Sequence, residues 1–170
     1  MNCLKPRRIT ILPMLAAGGT VIFVFESMIP QPLPWAKLGL SNIAILLAIY
    51  YFGFWEGLTV SWLKVIIGGL FTGGLLSPAF ALGMTGGCLA VIAMTSLRAG
   101  FGDRFSPVGI SIAGAAAHSV GQLAAANLLF IRQGFIWNLL PIMILTSIFT
   151  GAVVGFIGRE VLERWRPPVS

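Results

Sequence analysis

The chain has 170 residues, of which 57% are apolar and only 9% charged, with a net charge of +6. Soluble domains carry roughly 25% charged residues, so this composition argues against a water-soluble enzyme and makes lipid the main solvent, in line with a mean hydropathy of +0.94. The basic residues stand at the ends of apolar runs rather than in a patch, so the positive balance reads as a topology signal and not as a nucleic-acid footprint.

With about 20 apolar residues to a span, the sequence predicts an all-α integral membrane bundle of about six transmembrane helices. They fall near 9–29, 38–54, 58–76, 78–97, 108–131 and 135–157, in one domain over 1–170 with short tails at 1–8 and 158–170. The first run follows Lys5, Pro6, Arg7 and Arg8 like a signal peptide, but it is long enough to span and reads as a retained helix. Glu26 lies near its outer end, where a carboxylate at membrane depth calls for a reason. It either braces the next loop or contacts a ligand.

That loop is Pro30, Gln31, Pro32, Leu33, Pro34 and Trp35, a stiff connection because proline cannot continue a helix and pushes its predecessor toward extended geometry. Asn42 follows near the outer end of the second span, placed to cap that helix or to meet a ligand. Only Gly53, Phe54, Trp55, Glu56 and Gly57 break the second span from the third. Lys64 falls inside the third span with Ser61, Gly68 and Thr72 on roughly one face. It is a counter-ion for Glu26, a snorkelling side chain, or a substrate contact.

Small residues recur four apart at Gly53 and Gly57, Gly69 and Gly73, Gly83 and Gly87, and Gly151 and Gly155. Helices in lipid associate through close backbone approach, so these pairs predict helix seams, as do Ala79, Gly83, Gly86 and Ala90 in the fourth span and Gly114, Ala117, Gly121 and Ala125 in the fifth. On the fifth, His118 and Gln122 are one turn apart and face the same way, with Ser111 two turns below His118. Together they can hydrogen-bond one ligand, or His118 makes an interhelical bond. Asn127 lies nearly opposite. One side of the bundle collects Lys5, Arg7, Arg8, Arg98, Arg104, Arg159, Arg164 and Arg166 and the other Lys37 and Arg132, which predicts both termini inside.

Some chemistry is missing from the sequence. Its single aspartate, Asp103, cannot hold magnesium against a diphosphate, since hard cations want clustered carboxylates. No glycine-rich loop ends in Lys-Ser or Lys-Thr, no catalytic triad or zinc set is present, and Cys3 and Cys88 lack metal-ligand spacing. No cofactor is expected.

From Glu26 to Pro34, through Lys37-Leu-Gly-Leu-Ser-Asn42, Lys64, the Ser77-Pro78 turn, Ser111 and His118-Ser-Val-Gly-Gln122, the chain resembles a bacterial family. That family is described as "heptaprenyl diphosphate synthase component I" or "Gx transporter". It is similar to the substrate-binding S components of energy-coupling factor transporters. The resemblance implies a six-helix inner-membrane subunit that captures a small molecule from outside and works with a coupling subunit and two ATPases. It adds Lys37 to Glu26, Asn42, Lys64, His118 and Gln122 as substrate-binding candidates, beneath a roof formed by 30–34. The Ala-xxx-Ala pattern on which many S components dock their coupling subunit is approached only by Ala16 and Thr20, with Gly18 and Gly19 beside them. Two other readings remain: a noncatalytic membrane subunit assisting polyprenyl diphosphate, quinone or redox-cofactor metabolism, and an ion-coupled carrier using Lys64 and Glu26. The last is weakened by the absence of inverted repeats.

Overall fold

A computed structural model of the chain describes residues 4–29, 39–132 and 134–165. The chain is a helical membrane bundle of α1 (Leu4–Met28), α2 (Asn42–Tyr51), α3 (Phe54–Phe71), α4 (Pro78–Phe101), α5 (Pro107–Ala126) and α6 (Leu140–Arg164), with no strand among the described residues. Two starts are cued locally. Ser77 and Ser106 each precede a proline, and each hydroxyl accepts from the N–H three residues on, of Phe80 and of Gly109, at 3.2 Å. The outermost helices extend further than the sequence suggests, since α1 begins at Leu4 and α6 runs to Arg164.

Successive helices run antiparallel. Gly19 of α1 lies against Ala44 of α2, Gly57 of α3 against Ile49 of α2, and Gly83 of α4 against Val65 of α3. One end of the bundle therefore holds the starts of α2, α4 and α6; it is called the upper end here. Exposed Phe25, Trp62, Phe71, Phe149 and Phe156 give the outside an apolar face, as lipid requires.

Five helices are long and apolar enough to cross a membrane, and α2 is the exception. The run at 38–54 reads as a full span, but the helix holds only 10 residues, or about 15 Å at 1.5 Å per residue, half of a hydrocarbon layer roughly 30 Å thick. At its lower end Gly53 takes φ +117, a conformation that suits glycine, and the chain turns directly into α3. The count of six helices holds, and the count of full spans is five. Despite its shortness α2 is the centre of the core: Ile45, Leu46, Ala48 and Ile49 are almost wholly buried, with Val60, Val91, Met94 and Ile110 around them.

The glycine pairs divide by role. A Cβ on Gly151 would meet Ile112 Cα at 2.7 Å and one on Gly155 would meet Val108 Cα at 2.5 Å, so α6 lies on the α5 backbone itself. The seam is tied by Ser119 and Ser147, whose hydroxyls are 2.6 Å apart. Gly83 and Gly87 both face α3, against Val65 and Ser61. The Gly69 and Gly73 pair is not a seam, because Gly73 lies past the end of α3 with φ +67 and open space around it.

Candidate functional site

A half-length helix inside a membrane protein leaves its end groups far from water, and each unsatisfied backbone group there is costly. Both ends of α2 are met by side chains from elsewhere in the chain. At its start the Glu26 carboxylate, 3% exposed, accepts from the N–H of Leu40 at 2.6 Å and of Ser41 at 3.5 Å. At its end the Arg98 guanidinium of α4 donates to the carbonyls of Ile49 and, at 3.0 Å, Tyr50, and stacks over the Tyr50 ring 4.4 Å from its centroid. An anion at the N-terminus and a cation at the C-terminus both complement the helix dipole.

Lys64 joins the upper of these ends. It sits 10 residues into α3, about 15 Å along the axis, and is 2% exposed, so it does not snorkel to an interface. Its ammonium donates to Asn42 Oδ1 at 2.6 Å and to Ser41 Oγ at 3.1 Å. Ser41 is therefore shared, its N–H turned to Glu26 and its hydroxyl to Lys64. Three of the expected site residues, Glu26, Asn42 and Lys64, are brought together in this way. Asn42 is the first residue of α2 and accepts from Lys64, while Ser41 in the N-cap position makes no side-chain capping bond. Lys37 and the 30–34 roof lie outside the described residues.

The other two candidates stand against a different face of α4. A Cβ on Gly86 would lie 2.9 Å from Gln122 Cγ, from His118 Cε1 and from the His118 carbonyl oxygen, while one on the adjacent Gly87 would lie 2.3 Å from Ser61 Oγ, one turn below Lys64. The Lys64 cluster and the His118 and Gln122 pair meet different faces of α4, and the five expected residues that are described fall into two groups. Ser111, expected beside His118, instead faces Gly155 of α6.

A small apolar pocket at the upper end is lined by Leu82, Gln122, Leu123, Ala126, Ile131, Ile136 and Met143. Its walls depart from α geometry. After Ala126 the chain widens into a π-type turn over Asn127–Ile131, closes with Arg132 in the left-handed region at φ +47, and returns through a 3-10 segment, Gly134–Leu139. Such π-type turns often accompany functional sites. The Gln122 side chain is 7% exposed and makes no hydrogen bond among the described residues. Buried polar groups are ordinarily paired, and the fully enclosed atoms without a partner among the described residues include Ser61 Oγ, Ser111 Oγ and Asn127 Oδ1 rather than the Gln122 amide. Neither Glu26, Asn42, Lys64 nor His118 lines it. Ile136 and Met143, which do, carry no sequence signal beyond apolarity, and Arg98 had stood out only as a topology charge.

Among the described residues no three His, Cys, Asp or Glu side chains come together as a metal ion would need. Cys88 is a free thiol that accepts from the Trp62 indole at 3.2 Å, tying α4 to α3. A family model described as "Heptaprenyl diphosphate synthase component I" matches residues 15–161. No curated protein and no solved structure matches the chain.

Proposed function

The chain belongs to the heptaprenyl diphosphate synthase component I family, and from that premise we propose that it is a small-molecule-binding membrane subunit, acting as an S component of an energy-coupling-factor-type uptake system. The observation that carries this reading is the apolar pocket at the upper end of α4, α5 and α6, with Gln122 on its wall. A chain that only anchored an enzyme would gain by filling this space, since a void forfeits packing contacts. Gln122 is the ligand contact in this reading. Glu26, Asn42 and Lys64 hold α2, and His118 supports Gln122 from one turn below.

A second reading is favoured by the family's description, which names one component of a synthase. In it the chain is a noncatalytic membrane partner of a prenyl diphosphate synthase. Coupling in the first reading would not use Ala16 and Thr20, because both are buried and the Thr20 hydroxyl bonds back to the Ala16 carbonyl at 2.8 Å. The two readings differ in what travels with the protein. Mild-detergent purification from the native host, followed by mass spectrometry of proteins and small molecules, should recover a coupling subunit, ATPases and one enriched small molecule. Recovery of a prenyl synthase subunit with no enriched small molecule would decide for the second reading.

The membrane is the bacterial cytoplasmic one in this proposal, with both termini inside, supported by eight basic residues on one side against Lys37 and Arg132 on the other. In a cysteine-free background, a cysteine at Gln31 should react with an impermeant maleimide on intact cells and one at Ser170 should not. The reverse pattern overturns the orientation.

A further inference from the structure

The hairpin of α3 and α4 holds the longest uncharged stretch of the chain, from Val65 to Leu97. Two membrane helices thus turn at the upper end without the polar tip that a loop in water ordinarily carries. The tip is apolar on its outside instead. Phe71 is 78% exposed and Leu76 86%, with Leu70 and Leu75 exposed beside them. We propose that this tip, residues 72–77, does not emerge into water but lies within the upper edge of the bilayer, with Leu76 among the acyl chains. The proposal stands apart from what the chain binds.

Irregular backbone is tolerated at membrane depth only where its polar groups find partners without water, and this turn supplies its own. The N–H of Thr72 donates to the Gly68 carbonyl at 3.0 Å, that of Gly74 to Gly69 at 2.9 Å and that of Ser77 to Gly74 at 3.1 Å. The Thr72 hydroxyl also donates to the Gly68 carbonyl, at 2.9 Å. Leu76 takes φ +66, a left-handed form that is costly for leucine, yet it is the most exposed large apolar side chain among the described residues. In water a glycine or asparagine would serve that position better, whereas surrounding hydrocarbon favours leucine.

The depth agrees. At 1.5 Å per residue of helix, Ser77 stands about 32 Å above Arg98 and Thr72 about 24 Å above Glu56, against a hydrocarbon layer roughly 30 Å thick. The patch also continues the lipid-facing sides of the same helices, where Trp62 and Ile66 of α3 and Leu89 and Ile92 of α4 are exposed. The membrane that covers those side chains therefore covers the tip.

The test places a nitroxide at Leu76→Cys in the full chain, with Cys3 and Cys88 replaced by serine, in dioleoyl-phosphatidylcholine nanodiscs. Electron paramagnetic resonance then compares relaxation by oxygen, which concentrates in lipid, with relaxation by a water-soluble nickel chelate. Phe149→Cys on the lipid face of α6 and Arg132→Cys at the upper end are the references. Leu76 is so exposed that its replacement removes few internal contacts. Oxygen should outweigh nickel at Leu76 as at Phe149, with the reverse at Arg132. In dilauroyl-phosphatidylcholine the nickel effect at Leu76 should rise, because the thinner layer uncovers the tip. Nickel relaxation at Leu76 equal to that at Arg132 in the dioleoyl lipid would put the tip in water and overturn the proposal. A label shielded from both reagents and indifferent to lipid thickness would overturn it as well, since protein and not lipid would then cover the tip.

Discussion

Around α1 to α3, Glu26, Ser41, Asn42 and Lys64 hold one another and the start of a half-length helix, whereas around α4 to α6 the almost equally buried Gln122 meets no partner. Both regions place polar groups where lipid makes them expensive, and the difference lies in whether the protein itself supplies the partners. A satisfied network stabilises one structure and resists change. Sequence alone marks both as polar residues in apolar spans, so it cannot separate them. The accounting of hydrogen bonds can.

The largest effect is expected at Lys64. Lys64→Met keeps an unbranched side chain but removes the donor to Asn42 and Ser41, leaving their oxygens and the Glu26 carboxylate buried beside it. Removing one partner of a buried charged network costs about 3–5 kcal/mol, so this variant should fold poorly or melt far below the parent in detergent. Unchanged melting would break the comparison, because the α1 to α3 cluster would then not be structural and Lys64 would return to the ligand candidates.

Next comes the seam between α5 and α6. Gly155→Leu forces a side chain into a space where its first carbon already lies 2.5 Å from Val108 Cα. Backbone cannot yield as a side chain can, and overpacking of this kind costs about 1–3 kcal/mol or more. Gly18→Ala is the matched control on α1, where nothing lies within 4 Å, and it should leave melting unchanged or slightly raised. Equal loss in both variants would mean that the seam is no tighter than the surface.

Arg98→Leu should cost somewhat less, about 1–3 kcal/mol, since the Ile49 and Tyr50 carbonyls lose their donor but lie near the lower end, where water can partly replace it. The sharper readout is local. Amide hydrogen exchange should rise in the last turn of α2 before it rises in α4, and a uniform increase over the bundle would argue against a capping role.

These cases also show how far the sequence could be read. Apolar length located the five full spans, because lipid imposes the same requirement on every crossing helix, and Gly151 and Gly155 announced a real seam. The length of α2 was hidden, since an apolar run at 38–54 looks the same whether it crosses a membrane or stops halfway among other helices. Its end partners are equally silent. Glu26 is 14 residues from Leu40 and Arg98 is 49 from Ile49, and nothing in either neighbourhood names the helix it will meet. His118 and Gln122 were legible as a pair from their spacing, but their separation from Lys64 was not, because Gly86 and Gly87 are adjacent in sequence and yet meet different helices.

The smallest effect should separate two residues that the helical wheel treats alike. His118 and Gln122 are one turn apart, yet the His118 ring is packed on Gly86 and does not line the pocket, while Gln122 does. His118→Ala removes ring contacts at that α4 to α5 crossing and should lower stability by about 1–2 kcal/mol, the range for losing part of a packed side chain. Gln122→Leu keeps nearly the same volume, loses no internal hydrogen bond and adds apolar surface to an apolar pocket. It should therefore melt within about 0.5 kcal/mol of the parent or slightly above it, because replacing an unpaired buried polar group by hydrocarbon removes a desolvation cost. Melting both variants in the same detergent, without added ligand, makes the comparison. A clear loss in Gln122→Leu would mean that the amide has a structural partner, and the contrast between the two halves of the bundle would collapse from its more informative side.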